Sequence, residues 1–131
     1  METVKHQETI REALEKMISQ PEKKENQELM IGLYFPSDFP AFQGHFPDNA
    51  ILPAVVQVMS AVCILEKGLG EELQLKEIIK ARFKEPVLPD QANQFLIKTN
   101  FQEDKICVSV KISDVNKKEK SRFDLCLVSK K

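Results

Sequence analysis

The chain has 131 residues, 42% of them hydrophobic and 30% charged, with a formal net charge of −1. That length suits one domain with its own core, and the near-neutral balance supplies no field to attract nucleic acid or an anionic membrane surface. The one basic cluster, Lys117, Lys118 and Lys120, is interrupted by Glu119 and reads as a solvated hairpin turn.

The first 20 residues predict an amphipathic helix, because Ile10, Ala13, Leu14, Met17 and Ile18 form a stripe at helical spacing. His6 belongs to this segment and reads as a solvent-exposed histidine. Pro21 is expected to end the helix, and Glu22 to Glu28 reads as a charged connector. Leu29, Ile31, Leu33 and Phe35 alternate as a half-buried strand does. Pro36 and Pro40 then put residues 37–47 in a loop. An apolar run follows from Ile51 to Leu65, with Pro53 suited to the first turn of a helix. Asp48 or Asn49 is positioned to cap that helix, and Glu66, Lys67 and Gly68 mark its expected end. The run is too short for a membrane span of about 20 residues and carries Gln57 and Ser60, so it predicts a buried core helix.

The remainder predicts four strands, carried by Ile79–Ala81–Phe83, Phe95 to Phe101, Ile106 to Ile112 and Phe123 to Leu127. Short polar links at 102–104 and 114–118 are those of antiparallel hairpins. A helix apolar on nearly all sides beside one antiparallel sheet implies an α+β architecture in which the sheet curls around the helix. One flank of the helix then stays open, and a partner subunit is expected there. The whole chain, 1–131, reads as a single domain with its core in 29–128.

Cys63, Cys107 and Cys126 each lie in an apolar stretch, lack metal-ligand spacing and are expected as buried reduced thiols. With no recognisable secretory leader, a cytoplasmic location is expected. Neither a metal site nor a cofactor motif is legible: the two histidines are far apart and no glycine-rich phosphate loop occurs.

The chemistry concentrates at Gln43-Gly44-His45-Phe46-Pro47, immediately upstream of the apolar run. Histidine takes and gives protons near neutral pH. Gly44 permits unusual backbone angles or a close ligand approach, and the free N–H groups at Ala54 and Val55 are suited to stabilising negative charge on a carbonyl oxygen.

Gly44-His45-Phe46-Pro47 with Ile51-Leu52-Pro53-Ala54-Val55 resembles the active-site segment of bacterial 3-hydroxyacyl-acyl-carrier-protein dehydratases, G-H-F-P-x-x-P-x-x-P-G-V. A second stretch, Ala81 to Asp90, resembles that family's K-F-x-x-P-V-x-P-G-D strand. Val56-Gln57-Val58 resembles the subgroup acting in aryl-polyene-type pathways. The resemblance implies the hot-dog fold, a homodimer or a higher assembly of dimers, and a substrate thioester carried on the phosphopantetheine of acyl carrier protein. It implies His45 as the base that removes the proton next to the thioester carbonyl, and the Ala54 N–H, with Val55, as donors to the carbonyl oxygen. Gly44, Phe46, Pro53, Gln57, Ser60 and Cys63 are expected around the substrate.

This chain departs from the family at the helix acid. The family places Asp or Glu fourteen residues after the histidine, where this sequence has Met59, and a frequent glutamine four residues later is Cys63. Residues four apart share a helical face, so a polar pair has become apolar. Ala50 replaces a proline and Ala54 a glycine. Three functions follow as expectations: a dehydratase with a weakened or relocated acid, a non-catalytic protein binding an acyl chain or acyl carrier protein, and a hot-dog thioesterase.

Overall fold

The computed structural model describes residues 8–42 and 50–130. Gly44, His45, Phe46, Asp48 and Asn49, and His6 near the start, lie outside the described residues. The elements are α1 (Ile10–Met17), β1 (Glu22–Lys24), β2 (Glu28–Tyr34), α2 (Ala54–Leu69), β3 (Leu73–Phe83), β4 (Ala92–Phe101), β5 (Ile106–Asp114) and β6 (Glu119–Ser129).

All strand pairs are antiparallel, in the order β1-β2-β4-β5-β6-β3. The sheet presents one apolar face to α2. Phe35, Phe95, Ile97, Phe123, Leu125 and Leu127 are fully buried with Ile64 and Leu65 of the helix. This is the hot-dog fold.

Local chemistry sets the boundaries. Thr9 and Glu12 close a reciprocal capping box, Glu12 N–H to Thr9 Oγ1 at 3.0 Å and Thr9 N–H to Glu12 Oε1 at 2.9 Å, so α1 starts one residue later. It ends at Met17, before Pro21, and buries Ala13 and Leu14. Ion pairing of Arg11 with Glu66 and a 2.7 Å bond from Lys67 Nζ to the Glu15 carbonyl fasten α1 to α2.

The buried helix runs further than its apolar run, to Leu69. Gly68 does not stop it; a Cβ there would lie 2.7 Å from Leu29 Cδ1, so glycine lets the helix approach β2 closely. Gly70, at φ +71°, makes the stop, with its N–H on the Glu66 carbonyl at 2.8 Å. Pro53 precedes the first turn as the cap residue.

Two further expectations are corrected. The charged connector holds β1, which turns into β2 through Asn26 and Gln27, both at positive φ. Strand β3 begins six residues before Ile79, and irregular register between Leu75 and Glu77 and between Ile78 and Lys80 hides its alternation in the sequence.

The cysteines differ as well. Cys107 and Cys126 face each other across β5 and β6 and are joined as a disulfide, which leaves Cys63 as the free thiol. The expectation of three reduced thiols fails because these two strands are nearest neighbours, a pairing invisible in sequence spacing. Protein denatured without reductant should therefore titrate about one thiol per chain with a thiol reagent, and three after reduction. For stability, Phe95→Ala empties a fully buried site and should cost about 3–5 kcal/mol in denaturant unfolding. Thr9→Ala, which removes only an exposed cap, should cost about 1 kcal/mol.

Candidate active site at the opening of the buried helix

Leu52, just before α2, is tied to a stretch distant in the chain. Leu52, itself buried, donates its N–H to the Val87 carbonyl at 2.8 Å. Val87 is fully buried in the Pro86–Asp90 stretch, so this bond joins the two segments that carry the family resemblance. Asp90, at φ +60°, anchors the same stretch to the end of β2. Its N–H bonds the Phe35 carbonyl at 2.8 Å, and its Oδ1 accepts from Ser37 N–H and the Tyr34 hydroxyl at 3.2 Å each.

Proline at the cap position gives α2 no side-chain cap. The N–H groups of Val56 and Gln57 reach back to the Pro53 carbonyl at 3.0 and 3.1 Å. Ala54 and Val55, one step earlier, meet no acceptor among the described residues, as the first turn of a helix dictates. Both residues are exposed, Val55 to 65%. Among the described residues, the positive end of the helix therefore keeps these two donors without an acceptor.

These donors border an apolar cleft of about 500 Å³ along the flank of α2. Ala54, Val55, Val58, Met59 and Val62 supply one wall, and β3 supplies the other with Ile78 and Phe83. No Asp or Glu lines it among the described residues. Met59, half-buried, takes the helix position where the resemblance places an acid. Arg11 and Lys130 are the cleft's cations; the N-terminal helix, silent in the sequence, thus contributes a residue to its border. Only the packing of α1 across α2 reveals this.

Of the expected site residues, the structure brings Ala54, Val55 and Met59 to one cleft, with Pro53 at its end. Gln57, Ser60 and Cys63 do not line it. Gln57 turns to the sheet, where Ser121 Oγ donates to its Oε1 at 2.6 Å. Ser60 Oγ donates to the Val56 carbonyl at 2.8 Å, the usual way to hide a hydroxyl inside a helix. Cys63 faces α1, near Arg11 and Glu66. The helical period separates these faces: 54, 55, 58, 59 and 62 share one side, and 57 and 60 the other.

Burial pushes the Cys63 thiol up to about 11, with Arg11 opposing and Glu66 reinforcing the shift. It is a poor nucleophile at neutral pH. Because the folded state holds this proton more tightly than the unfolded chain, stability from this group is intact below pH about 9 and declines as pH rises toward about 11. Iodoacetamide at pH 7.5 should leave native Cys63 unmodified while labelling the denatured chain. Rapid labelling of the native protein would contradict the buried, protonated thiol.

Comparisons with known proteins address the family and the fold. The ApeI-like family, described as ApeI dehydratase, matches residues 21–123. The 3-hydroxyacyl-[acyl-carrier-protein] dehydratase FabZ of Rhizobium etli is 35% identical over 74 residues, covering 51% of this chain and 48% of that protein. The FabZ of a Wolbachia from Brugia malayi is 33% identical over 79 residues, covering 53% of each chain. The chain spans about half the length of the curated relatives it matches. Among solved structures, the dehydratase heterocomplex ApeI:P from Xenorhabdus doucetiae superposes with a TM-score of 0.62 at 24% identity, covering 84% of this chain and 99% of that one. The E. coli PaaI protein from a phenylacetic acid degradation operon does so at 0.63 and 12%, covering 90% and 88%. The fold and the family match together define a hot-dog protein of the dehydratase type. The chain belongs to the ApeI-like dehydratase family.

Proposed function

We propose that this chain supplies one half of a dehydratase site for 3-hydroxyacyl thioesters carried on acyl carrier protein. The observation that carries the reading is the pair of N–H groups at Ala54 and Val55 that meet no acceptor among the described residues, beside an apolar cleft inside the family-matched stretch. A thioester carbonyl placed there gains negative charge as the proton beside it is removed, and preorganised N–H donors stabilise that charge most when it develops. His45 takes the proton. The β-hydroxyl departs with a proton as water, leaving a 2-enoyl thioester and no change in oxidation state.

The departing hydroxyl needs a proton donor, and Met59 is not one. General-acid help is worth about 10²–10⁴-fold, roughly 3–5 kcal/mol of barrier. In two identical copies, both sites would carry Met59 where the family has an acid. A second hot-dog chain with Asp or Glu at that helix position would complete one site with the His45 loop of this chain. The exposed flank of α2 and the long open edge of β3, with Ile78, Ile79 and Phe83 exposed, support a partner on this side. The described likeness to a dehydratase heterocomplex supports a non-identical one.

A second reading is favoured by the lining of the cleft. With no carboxylate and methionine in the acid's place, it suits an acyl chain as a bound guest, and the chain then acts as a non-catalytic binding protein. Hydrolysis, the third reading, has no feature of its own among the described residues.

The experiment follows 3-hydroxyacyl-carrier thioester for enoyl product and for free thiol, with the chain alone and with an acid-bearing hot-dog partner. The dehydratase reading expects enoyl product with the partner, at least about 10²-fold above the chain alone, and its loss in His45→Ala. Met59→Glu in the chain alone should raise turnover by a similar factor. Tight binding of the thioester with no turnover under any of these conditions would establish the binding protein instead, and thiol release would establish hydrolysis.

A further inference from the structure

Gln57 is almost wholly buried at 3% exposure, in a helix whose neighbouring side chains are aliphatic. A buried primary amide is costly unless its donors and acceptor are used. Here they link three parts of the molecule. Its Nε2 donates to the Leu52 carbonyl at 3.2 Å, and its Oε1 accepts from Ser121 Oγ at 2.6 Å. Leu52 in turn donates its N–H to Val87 at 2.8 Å. Leu52, the residue before Pro53, is thus held on both sides, by the 86–90 stretch through its N–H and, through Gln57, by β6 at its carbonyl.

The far end of this relay lies inside the sheet. Ser121 is fully buried and sits between Ile112 of β5 and Phe83 of β3, paired on both sides. The adjacent Lys120 carbonyl accepts from both Lys84 N–H, at 2.8 Å, and Glu85 N–H, at 3.1 Å. The near end is the opening of α2, which has no side-chain cap of its own. A Ser, Thr, Asp or Asn cap would occupy one of the first-turn N–H groups. Holding the helix start through Leu52 instead fixes its position without using the Ala54 and Val55 N–H groups, which meet no acceptor among the described residues.

We propose that Gln57 is a positioning residue: by joining Ser121 of the sheet to the Leu52 carbonyl, it fixes the Ala54 and Val55 N–H groups as a rigid pair of donors facing the cleft. The kinetic part of this inference rests on the dehydratase reading, and the structural part does not. Oriented donors help only while they hold their place, and loss of about an ångström can cost up to about 100-fold in rate.

The test uses Gln57→Met, similar in volume but without either hydrogen bond, and Ser121→Ala, which removes only the distal one. Nitrogen-15 relaxation is measured at Ala54 and Val55, with strands β4 and β5 as internal reference. In the unaltered chain the two amides should be as rigid as the middle of α2. Both variants should loosen them while the reference strands stay unchanged, and Ser121→Thr, which keeps a hydroxyl, should restore rigidity. In whichever assembly converts 3-hydroxybutyryl-pantetheine, Gln57→Met should lower kcat about 10- to 100-fold with little change in KM. Adding Ser121→Ala to it should cost nothing more, because the two groups act in series. If Gln57→Met does not fold, Ser121→Ala against Ser121→Thr carries the same comparison. Unaltered order at Ala54 and Val55 in Ser121→Ala and in any folded Gln57→Met overturns the inference, as does a fall in melting temperature with kcat untouched. Loosened amides where neither the chain alone nor its assembly with an acid-bearing partner converts thioester leave the positioning role standing and remove the dehydratase reading.

Discussion

Helix α2 must be covered, and nearly everything else in the molecule follows from how. Its residues from Val56 to Leu65 are apolar apart from Gln57 and Ser60, and most are buried. A single sheet face covers most of that surface, β2 approaches through Gly68, and α1 crosses from the other side. What is left least covered is the strip of Ala54, Val55 and Met59, which with Val62 below it and β3 beside it makes the cleft. The candidate site is the remainder of an incomplete burial. Its apolar character is a consequence of the same helix that makes the core.

The two polar residues of α2 illustrate how the interior avoids unpaired groups. Ser60 returns its hydroxyl to the helix backbone, which satisfies it locally and asks nothing of the fold. Gln57 instead spends both ends of its amide on distant partners, Leu52 and Ser121. Among the described residues no side chain caps the helix, and its start is held by that bridge and by the Leu52–Val87 bond. Anchoring of this kind makes no use of the first-turn N–H groups.

Met59 separates fold from chemistry. It packs partly against the core and partly into the cleft, so methionine there strengthens apolar contact while withdrawing proton donation. Membership of the ApeI-like family is independent of that residue, because the match runs over residues 21–123 and the fold rests on the buried strands. The two sheet edges differ in the same spirit. Strand β1 is three charged residues, a poor template for another strand, whereas β3 is eleven residues long with exposed apolar side chains.

The alternation of Phe95 to Phe101 and Ile106 to Ile112, and the unbroken apolar run after Ile51, determined the α+β class, because period and length alone separate a half-buried strand from an enclosed helix. The Gly44–Pro47 and Ile51–Val55 pattern carried the family in the same local way. The end of α2 at Leu69, the β1 hairpin and the early start of β3 were not legible, since each depends on close approach or irregular register rather than on periodicity. Tertiary structure alone decided the pairing of Cys107 with Cys126, the turning of Gln57 away from the cleft, and the arrival of Arg11 at its border. Sequence spacing reports which residues share a face of one element; which neighbour that face meets is decided by packing between elements far apart in the chain.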